Sequence, residues 1–231
     1  MRLARRRWYT LATLALSVTL LPASLAQRHT AGQRSPLAFV SNEGSLDVSV
    51  VDLRARRVVA SIPMGARPRG IQVSPDGRQI FVAVSDQSPS AESDRDAIVV
   101  LDATSRREVR RFKAGTDPEQ LAVAPDGSRV YAANEDAGTT TVIDLRRGRA
   151  LSTAVVGIEP EGVAASPDGR WVYVTAETSN SVSVLDTRTN AIIANVLVDA
   201  RPRAVAFAPD GRRAYVTAEI GGTLSVLDTR T

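Results

Sequence analysis

Short apolar runs separated by turn-forming residues repeat from residue 37 to residue 231. Within a run, apolar residues alternate with polar or small ones, as in WVYVTA (171–176) and SVSVLD (181–186). This alternation predicts β-strands, because successive side chains of a strand point to opposite faces. The 3.6-residue spacing of an amphipathic helix is not found in these repeats. We therefore expect an all-β protein.

Three markers recur at a spacing of 42 residues, as between Pro167 and Pro209. The turn-forming sequence Pro-Asp-Gly occurs at 75–77, 125–127, 167–169 and 209–211. An aromatic residue recurs at one equivalent position of each unit, at Phe39, Phe81, Tyr131, Tyr173 and Tyr215. An Asp ends the next apolar run, at Asp52, Asp102, Asp144, Asp186 and Asp228. One unit is longer, with a Ser- and acid-rich insertion around QSPSAESD (87–94).

Each unit predicts four short antiparallel strands, for example 162–166, 171–176, 181–186 and 192–198. Four strands with one aromatic per unit of about 40 residues are typical of a β-propeller blade. The propeller is expected to occupy 37–231, entering at the second strand of its first blade. The last blade lacks its outer strand, so we interpret the propeller as incomplete. Residues 27–36 are expected to form a flexible tail.

The N-terminus predicts export. A basic start, MRLARRRWYT, precedes a short apolar run that ends in small residues at Ser24 and Ala26. This pattern indicates a signal peptide over 1–26, and the paired arginines at Arg5 and Arg6 are also compatible with a twin-arginine signal. We expect a periplasmic or secreted protein without a membrane span once the signal is cleaved.

Composition removes several classes of site. The chain has no Cys, which excludes disulfides, thiolate-bound metals and covalently attached haem. Its one His, His29, precedes the repeats, so no blade offers a histidine for proton abstraction or for haem or copper. The net charge of +4 comes from arginines of the signal peptide, and no basic patch indicates nucleic acid. A carboxylate-only Ca²⁺ site stays open, with no metal ligand assigned.

One rim of the propeller is predicted to carry the functional charges. Loops before first strands and loops after second strands emerge on the same face. In the first set a Pro is flanked by two like charges: Arg67 and Arg69, Asp117 and Glu119, Glu159 and Glu161, Arg201 and Arg203. In the second set a Glu recurs at one equivalent position: Glu43, Glu135, Glu177 and Glu219.

Two interpretations of this rim are open. Charged loops are most often only solvated, and a Pro there stiffens the entry to a strand. Grouping by sign across neighbouring blades, however, is not what simple repetition produces. We therefore predict a binding rim in which the four acids of the first set converge at the channel, flanked by arginines suited to carboxylates.

Several stretches differ between units, among them SNEGSLDVSVVD, IEPEGVAASPDG and TAEIGGTLSVLDT. The chain resembles the YVTN-repeat propellers over nearly all of 37–231. On the basis of these stretches it resembles, more narrowly, the β-propeller proteins associated with pyrroloquinoline-quinone (PQQ)-dependent catabolism. The resemblance implies seven blades, of which about five are present here, and a monomer when complete. It also implies a periplasmic protein that accompanies quinoprotein alcohol oxidation.

On this resemblance we expect an exported, non-catalytic binding or assembly module, with no catalytic residue assigned. Its expected partner is a periplasmic oxidoreductase or that enzyme's cofactor. PQQ and Ca²⁺ are the candidate cofactors of the protein itself. Two alternatives stay open, because propellers host many functions: a quinone-dependent dehydrogenase or lactonase-like hydrolase, and a cell-surface interaction protein.

Overall fold

The computed structural model describes residues 35–86 and 93–230. Within these ranges the chain forms strands β1 to β18 in five antiparallel sheets, each made of strands consecutive in sequence. The all-β propeller prediction is confirmed, with five blades present as expected. The predicted signal peptide, most of the tail and the greater part of the insertion lie outside the described residues. No helix in the described part of the chain is long and apolar enough to cross a membrane.

The sheets are named blades 1 to 5 in chain order. Blade 1 contains β1 (Leu37–Asn42), β2 (Asp47–Asp52) and β3 (Arg57–Pro63). Blade 2 contains β4 (Arg67–Val73), β5 (Gln79–Ser85), β6 (Ala97–Asp102) and β7 (Glu108–Lys113). Blade 3 contains β8 (Pro118–Val123), β9 (Arg129–Asn134), β10 (Thr139–Asp144) and β11 (Arg149–Val155). Blade 4 contains β12 (Pro160–Ala165), β13 (Trp171–Ala176), β14 (Ser181–Asp186) and β15 (Ala191–Leu197). Blade 5 contains β16 (Pro202–Phe207), β17 (Arg213–Ala218) and β18 (Thr223–Asp228).

The apolar core lies between neighbouring blades. Phe81 and Tyr131, each 1% exposed, are two of the recurring aromatic residues, and each fills a cluster shared by two blades. Tyr173 packs edge-on against Phe207 of blade 5, with ring centroids 4.8 Å apart. Burial of such large side chains is the main favourable term in folding. The recurring aromatic therefore holds one blade against the next.

Glycine allows the first strands of neighbouring blades to approach closely. A Cβ on Gly70 of β4 would lie 2.9 Å from the carbonyl oxygen of Glu119 in β8. A Cβ on Gly162 of β12 would lie 2.6 Å from the carbonyl oxygen of Arg203 in β16. Backbone atoms cannot move aside as a flexible side chain can. The lack of a side chain at these two positions therefore sets the spacing of the inner strands.

The Pro-Asp-Gly turns connect each first strand to its second. In blade 4 the Gly169 N–H donates to the Ser166 carbonyl at 2.9 Å, and Gly169 has a φ of +72°. Asp168 accepts from the backbone N–H of Arg170 at 3.1 Å and from the Ser166 hydroxyl at 2.6 Å. These hydrogen bonds lower the pKa of Asp168. The polar groups of the turn are therefore satisfied locally, as the repeat predicts.

Candidate functional site

The first strand of each blade starts earlier than the sequence indicated. We predicted that β12 begins at Gly162, whereas it begins at Pro160. Proline is tolerated as the first residue of a strand, because its missing N–H is not needed there. The second charge of each Pro-flanked pair therefore lies within a first strand, and in blade 2, where β4 begins at Arg67, both charges do. The second charges belong to Arg69, Glu119, Glu161 and Arg203.

A β-bulge presents these four residues. The register between first and second strands shifts just after the proline, between Pro118 and Gln120 in blade 3 and between Pro160 and Val163 in blade 4. Blades 2 and 5 carry the shift at the same place. A bulged residue opposes no partner in the ladder and its side chain is re-aimed. The bulge thus places one charged residue in each of blades 2 to 5 at the end of the propeller opposite the Pro-Asp-Gly turns.

A second backbone device joins the two sets of loops. Asp117, Glu159 and Arg201 adopt positive φ values of 50°, 56° and 61°. Their carbonyls accept hydrogen bonds from the backbone N–H groups of Glu135, Glu177 and Glu219 at 2.9, 2.8 and 2.8 Å. Non-glycine residues at positive φ are strained by about 1–3 kcal/mol each. The predicted rim residues are therefore brought together, and we call this end of the propeller the mouth.

Arginines of blade 2 pair with acids of blade 3 at the mouth. Arg67 Nη2 lies 2.9 Å from Asp117 Oδ1, and Arg69 Nε lies 2.7 Å from Glu119 Oε2. Glu43 of blade 1 bridges both arginines, at 3.2 Å from Arg67 and 2.8 Å from Arg69. Asp117 and Glu119 are 5% and 3% exposed. These five residues form the first ion-pair cluster, which spans three blades.

A second ion-pair cluster joins blades 4 and 5. Arg203 Nη2 lies 3.0 Å from Glu161 Oε1, and Arg201 Nε lies 2.6 Å from Glu177 Oε2. The other oxygen of Glu177 accepts from Arg203, so both of its oxygens are paired. Glu219 lies 3.4 Å from Arg201 and 3.9 Å from Arg203. Acids and arginines from neighbouring blades thus neutralise one another, which the separate sign groups in the sequence did not reveal.

Glu159 and Glu135 do not join these clusters through an arginine. The Glu159 carboxylate accepts from the Thr178 hydroxyl at the edge of the mouth. Glu135 is half-buried and lies beside Asp117 and Glu119, with one oxygen from each of the three within 4.8 Å of the others. All ten sequence-predicted site residues therefore lie at the mouth, and the recorded side-chain hydrogen bond of Glu159 comes from Thr178.

Two buried carboxyl groups have raised pKa values. Burial raises the pKa of Glu119 to about 9, with Arg69 opposing the shift and Glu135 and Glu161 adding to it. Burial likewise raises the pKa of Glu161 to about 7, against the effect of Arg203. Glu119 Oε1 is buried and has no hydrogen-bond partner. The mouth therefore holds more carboxylate than its arginines compensate.

Two further acids of this region were missed by the sequence analysis, and a third, Glu43, was placed at the rim without being assigned a partner. Glu43 bridges two arginines from a blade with three described strands. Asp96, 3% exposed, accepts from the backbone N–H groups of Asp86 and Ser93 and so closes the base of the insertion. Burial raises the pKa of Asp136, which lies near Asp117. The repeat position located Glu43 at the rim, whereas nothing in the sequence marks Asp96.

The comparison with known proteins agrees with this architecture. Residues 89–218 match the family described as the cytochrome D1 heme domain, a family of eight-bladed β-propellers. The chain belongs to this family. No curated protein matches the chain.

Two solved structures resemble this member of the cytochrome D1 heme domain family in fold. Kuenenia stuttgartiensis hydrazine synthase superposes with a TM-score of 0.54 at 20% identity, covering 84% of this chain and 80% of that chain. A protein of unknown function from Desulfotomaculum acetoxidans superposes with a TM-score of 0.69 at 16% identity, covering 83% of this chain and 65% of that chain. At these identities the likeness shows the fold alone.

The residues at this mouth do not fit the haem that the family description implies. Haem iron takes His, Cys, Met or Tyr as axial ligand. The described residues include no His or Cys, and their one Met, Met64, is buried between blades 1 and 2. Their tyrosines lie within second strands, two of them buried between blades. The buried acids of the mouth would also repel haem propionates, so the mouth is unsuited to haem on both counts.

Proposed function

We propose that this protein is a non-catalytic binding module that recognises a protein partner at its mouth. The observation that carries the proposal is the pair of ion-pair clusters, which fix acidic and basic side chains of all five blades at one end of a rigid fold. Side chains fixed by their neighbours lose little conformational entropy on binding. Binding residues commonly occupy loops on such a scaffold. The mouth therefore has the features of a recognition surface.

The exposed members of the clusters are suited to contact the partner. The side chains of Glu43, Glu219 and Arg201 are 49%, 45% and 44% exposed, and each is ion-paired within its cluster, Arg201 to the buried Glu177. Most guanidinium groups are already engaged by the protein's own acids. Carboxylates of a quinone would have to displace those acids, so we favour a protein partner over its cofactor. Exposed charges of this kind make association sensitive to salt.

The resemblance to PQQ-associated propellers supplies the expected partner. A periplasmic quinoprotein oxidoreductase fits this resemblance and the predicted signal peptide. The resemblance also supplies the monomeric state and the seven-bladed ring of the complete protein, whereas members of the cytochrome D1 heme domain family have eight blades. The ion pairs between blades at the mouth do not depend on the identity of the partner, the number of blades or the monomeric state.

The test compares the two ends of the propeller. One full-chain variant carries Glu43→Gln, Glu159→Gln and Glu219→Gln at the mouth. A matched variant carries Asp126→Asn, Asp168→Asn and Asp210→Asn at the opposite turns, so that each loses three negative charges. Both are immobilised and exposed to periplasmic extract at low and high salt. We expect the mouth variant alone to stop retaining a protein with the absorbance of a bound quinone. Loss of capture by the turn variant alone, with both folded, would refute the mouth as the binding face.

One observation favours a second candidate, an acid–base enzyme on the same fold. Glu161 has a pKa of about 7, which suits a carboxyl group for proton transfer near neutral pH. Quinone-dependent alcohol oxidation and lactone hydrolysis are the reactions to assay. Turnover that disappears in a folded Glu161→Gln variant would establish this candidate and exclude a purely binding role.

A further inference from the structure

Three acids of blade 3 form a compact group at the mouth, the carboxylate triad Asp117, Glu119 and Glu135. One oxygen from each lies within 4.8 Å of the others. Their backbones are fixed by the bulge at Glu119 and by the hydrogen bond from Glu135 N–H to the Asp117 carbonyl, at 2.9 Å. The triad thus comes from one blade and needs no rearrangement between blades to assemble.

An unpartnered buried oxygen points to a missing ligand in the triad. The side chain of Glu119 is 3% exposed, and its Oε2 is taken by Arg69. Its Oε1 is buried and accepts no hydrogen bond from a donor group, and the Glu119 side chain faces the carboxyl group of Glu135, with which it can share only a proton. Leaving such an atom without water or a donor is unfavourable. A cation bound beside Oε1 would satisfy it.

The charge around the triad is also unbalanced. Asp117, Glu119 and Glu43 share only Arg67 and Arg69, and no arginine reaches Glu135 among the ion pairs of the described residues. Four carboxyl groups therefore share two guanidinium groups. Like charges this close disfavour the ionised state unless a counter-charge is present.

Blade 4 provides an internal comparison. Its equivalent residues are Glu159, Glu161 and Glu177, but both oxygens of Glu177 are paired with arginines. Among the residues that the structure describes, the blade 4 acids do not form a group with metal-ligand spacing as the blade 3 acids do. At the same repeat position, blade 4 thus has a Glu paired with arginines, whereas the Glu of blade 3 has metal-ligand spacing to two other acids.

We propose that Asp117, Glu119 and Glu135 bind one divalent cation, Ca²⁺ in the first place. Ca²⁺ takes oxygen ligands at about 2.3–2.6 Å, so two oxygens on opposite sides of the ion are separated by up to about 5 Å. The spacing of the triad falls within that limit. Mg²⁺, with ligands at about 2.0–2.1 Å and strict octahedral geometry, fits this range less well. The purely oxygen donor set disfavours Zn²⁺ and Cu²⁺.

Water can complete the coordination. Glu135 is half-buried and Asp136 is exposed at the outer side of the triad, so solvent reaches the ion from the mouth. The ion would tie the loop before β8 to the end of β9 and would stabilise the folded chain by mass action. This site does not depend on the partner proposed above, because the ion is held by the chain alone.

The test uses the purified full chain, stripped with a chelator and titrated with CaCl₂ alone. We expect binding of one Ca²⁺ in equilibrium dialysis and a rise in melting temperature that saturates with Ca²⁺. Glu135→Gln should weaken the affinity at least about tenfold. Glu219→Gln, the same substitution at the equivalent position of blade 5, should leave Ca²⁺ binding unchanged.

Three outcomes would overturn the site. One is a wild-type chain that neither binds Ca²⁺ nor gains thermal stability at millimolar concentrations. Another is a Glu135→Gln variant, folded by circular dichroism, that binds Ca²⁺ as the wild type does. The third is stronger binding of MgCl₂ than of CaCl₂, which would refute the choice of ion. Capture of the protein partner is measured separately, so its failure would leave this result intact.

Discussion

The two ends of the propeller use carboxylates in opposite ways. At the Pro-Asp-Gly turns, Asp168 accepts from a backbone N–H two residues further along the chain. At the mouth, Glu119 pairs with Arg69, which is 50 residues away in sequence. The turn acids satisfy the backbone of their own blade, whereas the mouth acids connect different blades. One repeat unit therefore carries a local device at one end and a long-range device at the other.

Burial sharpens this difference. The turn aspartates lie at the surface and have lowered pKa values because backbone N–H groups and Ser hydroxyls donate to them. Glu119 and Glu161 are buried, and desolvation raises their pKa values. Repetition of a sequence thus does not imply repetition of a role. The role depends on whether the side chain ends in solvent or between blades.

The largest expected effect is loss of an arginine at the mouth. Arg69→Ala leaves Glu119 buried without its counter-charge, which should cost about 3 kcal/mol of unfolding free energy. The measurement is urea denaturation of the full chain. Arg78→Ala is the control at the turn face, since Arg78 is 84% exposed and 3.9 Å from Asp76, and it should cost under about 0.5 kcal/mol. Equal losses in the two variants would remove the contrast between the ends.

The next effect tests the close approach of the inner strands. Gly162→Ala places a Cβ 2.6 Å from the Arg203 carbonyl oxygen, so β12 and β16 must separate. We expect a loss of about 1–3 kcal/mol in the same denaturation experiment. Gly44→Ala is the matched control, because no atom lies within 4 Å of its added Cβ. A Gly162→Ala variant as stable as wild type would show that the mouth tolerates a change in blade spacing.

A smaller effect is expected at the turns. Asp168→Ala removes the acceptor for Arg170 N–H and the Ser166 hydroxyl, which should cost about 1 kcal/mol. Asp168→Asn keeps an acceptor oxygen and should cost less. Thermal melts of the two variants provide the check. If the Asp168→Ala variant were no less stable than the Asp168→Asn variant, the hydrogen bonds accepted by Asp168 would not stabilise the turn.

The subtlest prediction concerns pH, where the two ends should respond with opposite signs. Folding raises the pKa of Glu161 to about 7. The contribution of Glu161 to the free energy of unfolding is therefore fully present below its unfolded pKa and is lost as the pH rises through about 7. Folding lowers the pKa values of Asp76 and Asp168. Their contributions to the free energy of unfolding are therefore present above the unfolded pKa and are lost as the pH falls through the folded pKa values.

Unfolding free energies measured from acid to alkaline pH in chelator separate these contributions. Glu161→Gln should flatten the decline in the free energy of unfolding above pH about 6. Asp76→Asn combined with Asp168→Asn should flatten the decline at acid pH. If either variant altered the opposite limb instead, the assignment of pH sensitivity to the two ends would be wrong.

The fold was predictable because its signals are local. The turn sequence around Asp168 and the alternation in β13 and β14 each reflect contacts within a few residues, and their bounds match the structure. The start of β12 at Pro160 was not predicted. A proline usually indicates a break in a strand, and its tolerance here depends on the bulge that follows.

The candidate site was predictable in position but not in pairing. The repeat placed Asp117, Glu119 and Glu135 at one end of the propeller. It could not show that Arg69 of one blade meets Glu119 of the next, because blade spacing is set by contacts such as that of Gly70 with β8. Nor could it show that Glu119 Oε1 lacks a donor. Such facts depend on the tertiary arrangement.

The bulge in each first strand has a consequence for how such a protein can diversify. A chain assembled by copying one unit would begin with identical residues at the mouth, and four copies of a charged residue would repel one another. The bulged residue is left out of the pairing between the first and second strands, so one copy can exchange Glu for Arg while its sheet stays intact. Arg69, Glu119, Glu161 and Arg203 occupy this position with both signs of charge. The repeated sheet can thus stay constant while the charge at this position decides how a blade binds its neighbour.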